Sequence, residues 1–482
     1  MGTGDKMLSL LMKRPRSASQ SALLLSAVLL SGCAAVPELD PLPRPKPVAI
    51  YTAQETFRAP AAEWPGDRWW TGYKDPQLIS LIDEGLANSP NLAEAEARFR
   101  KAESAAQQAG AALLPQAQTN SSATEFTLNS DGKAASFIPN GGNNLTRASL
   151  NFSYELDFWD KNRASLAAAT SAAEAARADS AAARLALSTA IASSYADLAQ
   201  LYADRDAALD ALRVRNGTAA LLSERLSQGL ENQGAVKSAE SGRAASQAQL
   251  ASLEETIALA NNRIAALIGA GPDRALSIAR PAPAARSFGL PANVQADLLG
   301  RRPDVAAARL RAEAAARNID AAKAEFYPNV NLSAMLGINS ISLGSLARST
   351  SEYATFGPAI SLPIFSGGRI EGAYRGARAE YDTSVAVYDS TVSQALKDVA
   401  DVATSSRALG ARLSTSRDAL AASEAAYQIV QNRYLGGLAT YLEVLSAEDS
   451  LIANRRTVAD LETREFALDV ALIRALGGGY QS

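Results

Sequence analysis

The chain offers very little with which to do chemistry. Among its 482 residues there is no histidine and one cysteine, Cys33. The absence of histidine removes the commonest general base, metal ligand and pH switch together. Metal-assisted or triad chemistry is therefore not expected, nor is a cofactor or an enzyme activity. A single thiol also excludes a disulfide within the chain. Lys and Arg number 47 against 50 Asp and Glu, with no basic patch interleaved with aromatics, so no nucleic-acid surface is expected.

The thiol has a telling context. Lys6, Lys13, Arg14 and Arg16 precede the apolar run Ala22 to Leu30, which is too short to span a bilayer and reads as a secretory signal. The run ends in Leu30-Ser31-Gly32-Cys33, which resembles a bacterial lipobox. That resemblance implies cleavage before Cys33, a signal peptide over 1–32, and acylation of the thiol and the new amino group. Ala34 follows where an aspartate would imply retention at the inner membrane, so the implied destination is the outer membrane. Pro37, Pro41, Pro43, Pro45 and Pro47 make 33–65 a stiff, extended tether.

What must these features position? The chain repeats itself. LANSPNLAEAEARFRKAESAAQQAGAALLPQ around Pro90 matches LGRRPDVAAARLRAEAAARNIDAAKAEFYPN around Pro303, and Pro90 stands as far from Pro115 as Pro303 from Pro328. Leu156 to Arg163 matches Leu362 to Arg369, and Arg225-Gly229-Leu230 matches Arg433-Gly437-Leu438. The organisation is a first repeat over 66–270, a Pro/Ala linker over 271–290, a second repeat over 291–477 and a tail over 478–482.

Within each repeat the hydrophobic period switches. Leu150, Phe152, Tyr154, Leu156 and Phe158 alternate with polar neighbours, as do Val330, Leu332, Ala334, Leu336 and Ile338, while Phe356, Ile360, Leu362 and Ile364 share one face. Period two predicts strands, at about 117–129 and 148–158, then about 329–341 and 354–365. Long polar loops are expected over Ser130 to Arg147 and Ser342 to Tyr353. Apart from the signal no run of about 18 apolar residues occurs, so a membrane span would have to be a closed barrel. An amphipathic strand in a soluble sheet fits the same alternation. Four strands cannot close a membrane barrel, which needs about 8; identical subunits would have to share one.

The remaining length is helical. Asp160 to Asn216 contains no glycine or proline, and reading on to Gln228 gives a rod of about 100 Å at 1.5 Å per residue. A seam of Leu187, Ile191, Ser194, Leu198, Leu201, Ala208, Leu212, Ala219, Leu222 and Leu226 runs along it, interrupted by Arg205 and Arg215. Its counterpart covers Arg369 to Tyr434, and shorter helices return over Ala235 to Ile268 and Tyr441 to Leu476.

Trp69-Trp70, Asp75-Pro76-Gln77-Leu78-Ile79, Pro90-Asn91-Leu92, Arg301-Arg302-Pro303-Asp304-Val305, Phe326-Tyr327-Pro328-Asn329, Phe365-Ser366-Gly367-Gly368-Arg369 and Arg433-Tyr434-Leu435-Gly436-Gly437 resemble, in order, the TolC-like outer-membrane efflux protein family, within it the lipoprotein subfamily of RND-type multidrug efflux channels. The resemblance implies a mainly α fold with a membrane β-barrel. Three chains would form a homotrimer with twelve strands in the outer membrane, joined to a twelve-helix periplasmic tunnel girdled by the tether, linker and tail.

It further implies partnership with a periplasmic adaptor, or membrane fusion, protein and an inner-membrane pump of RND type. The helix breaks Gly229-Leu230 and Gly437-Leu438 become the adaptor-docking tip, and Glu443 falls where a family gate carboxylate sits. Ser446 and Ala439 depart from the family's aspartate and arginine, so the rest of the gate does not carry over. Four methionines and no histidine argue against a dedicated copper or silver lining. A type I secretion channel and a structural envelope coiled coil are the alternatives; the lipobox and the RRPDV motif lean against the first, the strands against the second.

Overall fold

A computed structural model describes residues 36–128, 141–282, 288–340 and 351–481. Cys33 and the signal segment lie outside the described residues. In chain order the main elements are α1 (Pro76–Asn88), α2 (Pro90–Ala111), β1 (Gln116–Leu128), β2 (Gly141–Leu156), α3 (Lys161–Ser227), α4 (Gln233–Leu267), α5 (Val294–Arg301), α6 (Pro303–Ala324), β3 (Asn329–Ser340), β4 (Glu352–Ser361), α7 (Arg369–Leu435) and α8 (Tyr441–Ala475).

The duplication seen in the sequence is metric. α3 and α7 have 67 residues each, α4 and α8 have 35 each, and α2 and α6 have 22 each. Proline opens α1, α2 and α6, where its missing N–H costs nothing and its fixed φ suits the first turn. None of the helices in the described residues is long and apolar enough to cross a membrane.

Two compact units form, each from pieces of both repeats. The first comprises the chain up to Arg44, Ala102–Ala173 and Arg311–Val385. It holds one sheet of order β1-β2-β3-β4, antiparallel throughout. Register places Leu150 opposite Leu336, Phe152 opposite Ala334 and Tyr154 opposite Leu332. Leu332 in turn faces Pro358, and Ala334 faces Phe356. Since side chains alternate between faces, these residues share one apolar face. The other carries Gln118, Asn151, Met335 and Thr355, and Asn120 with Ser149. Pro358 is tolerated because β4 is an outer strand.

Several expected boundaries shift. β2 begins at Gly141, so the loop expected up to Arg147 is shorter: Asn144 pairs with Glu125 and Thr146 with Ala123, and ladder bonds override the loop-like composition of Gly141 to Asn144. β2 ends at Leu156, short of Phe158, because the Asp157 carboxylate accepts from the N–H groups of Asn162 and Arg163, at 3.1 and 2.9 Å, and thereby starts α3. β4 runs Glu352–Ser361, so Leu362 and Ile364 fall beyond it; Pro363 cannot donate to a ladder. Residues 129–140 and 341–350, the bulk of the expected loops, lie outside the described residues.

The second unit comprises Pro45–Lys101, Glu174–Leu310 and Ala386–Ser482, with several hydrophobic clusters. Trp69, Trp70, Tyr73, Leu78 and Ile82 pack with Ile191, Tyr195, Leu198, Ile264 and Phe466. Leu290, Val294, Leu298 and Val305 pack with Val392, Val399 and Leu472. Of the α3 seam, Ile191, Ser194, Leu198, Ala219 and Leu222 are buried and the rest half-buried. The tether and linker meet in a short parallel bridge: Ala62 N–H donates to the Leu290 carbonyl at 3.0 Å and Leu290 N–H to that of Pro60 at 2.9 Å.

Candidate functional site

The two glycine breaks are built alike. At the end of α3, Gly229 has φ 71°, Gly229 N–H donates to the Leu226 carbonyl at 3.0 Å and Leu230 N–H to that of Arg225 at 2.8 Å. At the end of α7, Gly437 has φ 73°, with Gly437 N–H to Tyr434 at 3.0 Å and Leu438 N–H to Arg433 at 2.8 Å. Both are Schellman-type caps, which need a left-handed residue that glycine supplies without steric cost. In each the next residue is a leucine turned to solvent, 59 % exposed at Leu230 and 72 % at Leu438.

Side chains tie the two turns together. The Arg225 guanidinium lies 4.6 Å from the centre of the Tyr434 ring, and the Tyr434 hydroxyl donates to Glu231 at 2.7 Å. Burial and Glu231 push that hydroxyl up to about 12, while the bond from Tyr434 holds the Glu231 carboxyl below its ordinary value. Beneath, Leu222, Val236, Tyr427, Tyr434, Val444 and Leu451 form one cluster.

Glu443 is occupied locally. Its Oε2 accepts from the backbone N–H of Thr440 at 2.6 Å, and Glu443 N–H donates to the Thr440 hydroxyl at 3.4 Å. That reciprocal pair is a capping box for α8, and it holds the Glu443 carboxyl below its ordinary value.

Residues that sequence reasoning passed over do much of the structural holding. Arg215, which looked like an interruption of the seam, forms an ion pair with Glu448 at 2.9 Å. In the RRPDV motif, Arg302 grips Asp304 at 2.6 Å and Asp398 at 2.9 Å, and the Arg301 guanidinium lies 4.8 Å from the Trp64 ring centre. In the first motif, Asp75 caps α1 through Gln77 and Leu78 and accepts from the Tyr195 hydroxyl at 2.8 Å. These motifs are pins. A basic residue on an apolar stripe is the signal that could have marked Arg215; Glu448 had none.

In the sheet unit, Phe356 is 92 % and Ile360 69 % exposed, and the outer edges of β1 and β4 have no partner strand among the described residues. A sheet with one apolar and one polar face and two open edges, in a chain of duplicated long helices, defines a subunit of an outer-membrane channel.

The chain belongs to the outer membrane efflux protein family, whose model matches it twice, over residues 81–270 and 294–478. The multidrug resistance outer membrane protein MdtP of Escherichia coli O6:H1 is 30 % identical over 470 residues, covering 96 % of each chain. The cation efflux system protein CusC of Escherichia coli K12 is 28 % identical, covering 94 % of this chain and 98 % of its own. The crystal structure of the outer membrane protein VceC of Vibrio cholerae is 47 % identical with a TM-score of 0.82, covering 87 % of this chain and all of VceC. The outer-membrane channel OprN is 26 % identical with a TM-score of 0.80, covering 93 % of this chain and 98 % of OprN. The protein is an efflux channel of the outer membrane.

Proposed function

We propose that three copies form one exit duct, each lending its four strands to a twelve-stranded barrel, edge β1 of one chain pairing with β4 of the next. The observation that carries this reading is the open-edged, two-faced sheet. Unpaired strand edges cannot sit in hydrocarbon, where every backbone polar group must find a partner within the protein. Apolar side chains then meet lipid, and the face of Gln118, Asn151 and Thr355 lines water.

The duct is passive. It receives drugs or other small molecules from an inner-membrane pump of RND type through a periplasmic adaptor, and has no cofactor, metal or catalytic residue. Gly229-Leu230 and Gly437-Leu438 form the adaptor-docking tip, supported by the matching caps and solvent-facing leucines. Glu443, beside that tip, is the gate residue implied by the family. Cys33 carries the acyl anchor. MdtP is a multidrug resistance protein and CusC belongs to a cation efflux system; an organic cargo suits this chain better, because Met335 is the one methionine after the signal segment and there is no histidine.

Reconstitution in planar bilayers tests the reading. Purified full-length protein should migrate as a detergent-resistant trimer and open stepwise conductances. A monomer without conductance would defeat it.

A further inference from the structure

Within the sheet unit, a cleft of about 640 Å³ opens where β2 runs into α3 and α6 runs into β3. Its lining combines the aromatic rings of Phe158, Trp159 and Tyr327 with the cations of Arg163, Arg317 and Lys323. Trp159 and Tyr327 are stacked, centres 4.7 Å apart and planes 19° from parallel. The Trp159 indole N–H also donates to the Pro328 carbonyl at 2.8 Å. The Trp159 ring is therefore held from the backbone and Tyr327 stacks on it, yet Phe158 is 65 % and Trp159 48 % exposed.

The charges are unbalanced. Two carboxylates, Asp160 and Asp320, share the cleft with the three cations. Arg163 pairs with Asp160 at 2.5 Å and Arg317 with Asp320 at 3.6 Å. Lys323 is in no ion pair among the described residues. Fixed, uncovered aromatic rings beside a spare cation, at the end of an apolar sheet face, match the headgroup level of a bilayer. Amphipathic rings settle there, and Lys and Arg meet lipid phosphates there.

Two further observations locate the cleft. β2 and β3 are the inner strands, paired down to Leu156 opposite Val330, so the cleft sits under the middle of the chain's own sheet and away from the open edges. The tether is docked close by: Val36 and Leu39 pack with Ile319, Phe326 and Tyr374, and the Tyr381 hydroxyl donates to the Pro43 carbonyl at 3.2 Å. Phe326, against which this stretch of the tether packs, is the chain neighbour of Tyr327.

We propose that the cleft is a phospholipid headgroup site, in which Lys323, flanked by Arg163 and Arg317, holds the phosphate while Phe158, Trp159 and Tyr327 cover the glycerol and first acyl carbons. The proposal rests on the reading of the sheet as a membrane span. The test uses delipidated full-length protein whose trimer and conductance have been verified. Short-chain phosphatidylglycerol is titrated in and bound lipid is counted by native mass spectrometry, for wild type, Lys323→Ala, Lys323→Gln and the double variant Lys323→Ala with Arg317→Ala. Each lost cation should weaken binding about fivefold. A short-chain diacylglycerol, which lacks the phosphate, should bind wild type and variants alike, and millimolar inorganic phosphate should not displace the phospholipid. Equal phosphatidylglycerol binding by intact trimers of all forms overturns the site. Displacement by inorganic phosphate overturns it in favour of a small-anion pocket, and loss of the trimer in both Lys323 variants overturns it in favour of a protein contact. Absence of wild-type conductance removes the spanning-sheet reading, and this site with it.

Discussion

The side chain of Arg215 on α3 meets that of Glu448 on α8, Nε to Oε1 at 2.9 Å, and Glu448 has no exposed surface. The other Glu448 oxygen accepts from the Thr218 hydroxyl at 2.7 Å, and Arg215 also reaches Asp449. Burial, aided by the nearby Asp449 charge, pushes the Glu448 carboxyl above its ordinary value against the opposing pull of Thr218 and Arg215. Arg215 thus ties the long helix of one repeat to the returning helix of the other, and Arg456 on α8 adds a second tie to Asp204 on α3 at 3.4 Å.

Removing one partner leaves a buried charge without compensation, which costs about 3–5 kcal/mol. Arg215→Ala should therefore lower the thermal midpoint strongly, and Glu448→Gln much less. The pH dependence has a definite sign. A carboxyl raised in the folded state binds more protons there than in the unfolded chain, so its stabilising effect is full below about pH 4.3 and is lost as pH rises through the folded value. In thermal melts of helix signal, the wild-type midpoint relative to that of Glu448→Gln should fall as pH rises from 4 to 8, and that of Arg215→Ala should fall more steeply. A slope unchanged in both would contradict the assignment.

Arg302 should resist conservative replacement. Its guanidinium takes both oxygens of Asp304, at 3.0 and 2.6 Å, and one of Asp398 at 2.9 Å. A lysine has no planar fork to match that geometry. Arg302→Lys should lose most of what Arg302→Ala loses, about 3 kcal/mol, read as a lower thermal midpoint and faster proteolysis. A lysine variant as stable as wild type would show that charge alone suffices.

At the tip, Leu230 and Leu438 are exposed, so Leu230→Glu with Leu438→Glu should change stability by no more than about 0.5 kcal/mol per site. If these leucines are docking knobs, adaptor recovery in a pull-down should fall and drug susceptibility of the host should rise, with trimer content unchanged. Full adaptor recovery by the double variant would refute the docking role.

Cys33→Ser should abolish acylation. Mass spectrometry of the wild type should show an acylated N-terminal cysteine, and that of the variant should show no acyl chain. An unmodified wild-type Cys33 would remove the anchor.

Much of the fold was legible because repetition leaves marks that survive divergence. Pro90 and Pro303 open helices of equal length, and the seam from Leu187 to Leu226 has no fully exposed member. Strand ends were less legible. Gly141 to Asn144 reads as loop by composition, and only pairing with β1 makes it strand. Phe158 continues the alternation, but Asp157 turns the backbone into α3. Period and composition report what a segment favours alone, whereas an end is set by whichever neighbour satisfies its backbone groups.

The site divides the same way. The lipobox-like run, the duplicated glycine breaks and the polar-apolar alternation are local, carried by a few adjacent residues, and the sequence alone determined them. It also determined that one chain supplies too few strands to close a membrane barrel by itself. Only tertiary structure decided that Arg215 guards Glu448, that Arg302 clasps Asp398, and that Arg225, Tyr434 and Glu231 join the two turns. Partners 96 to 233 residues apart in the chain are chosen by packing of helix faces, and a side chain's charge is worth something only once the low-dielectric interior has brought its counterpart within reach.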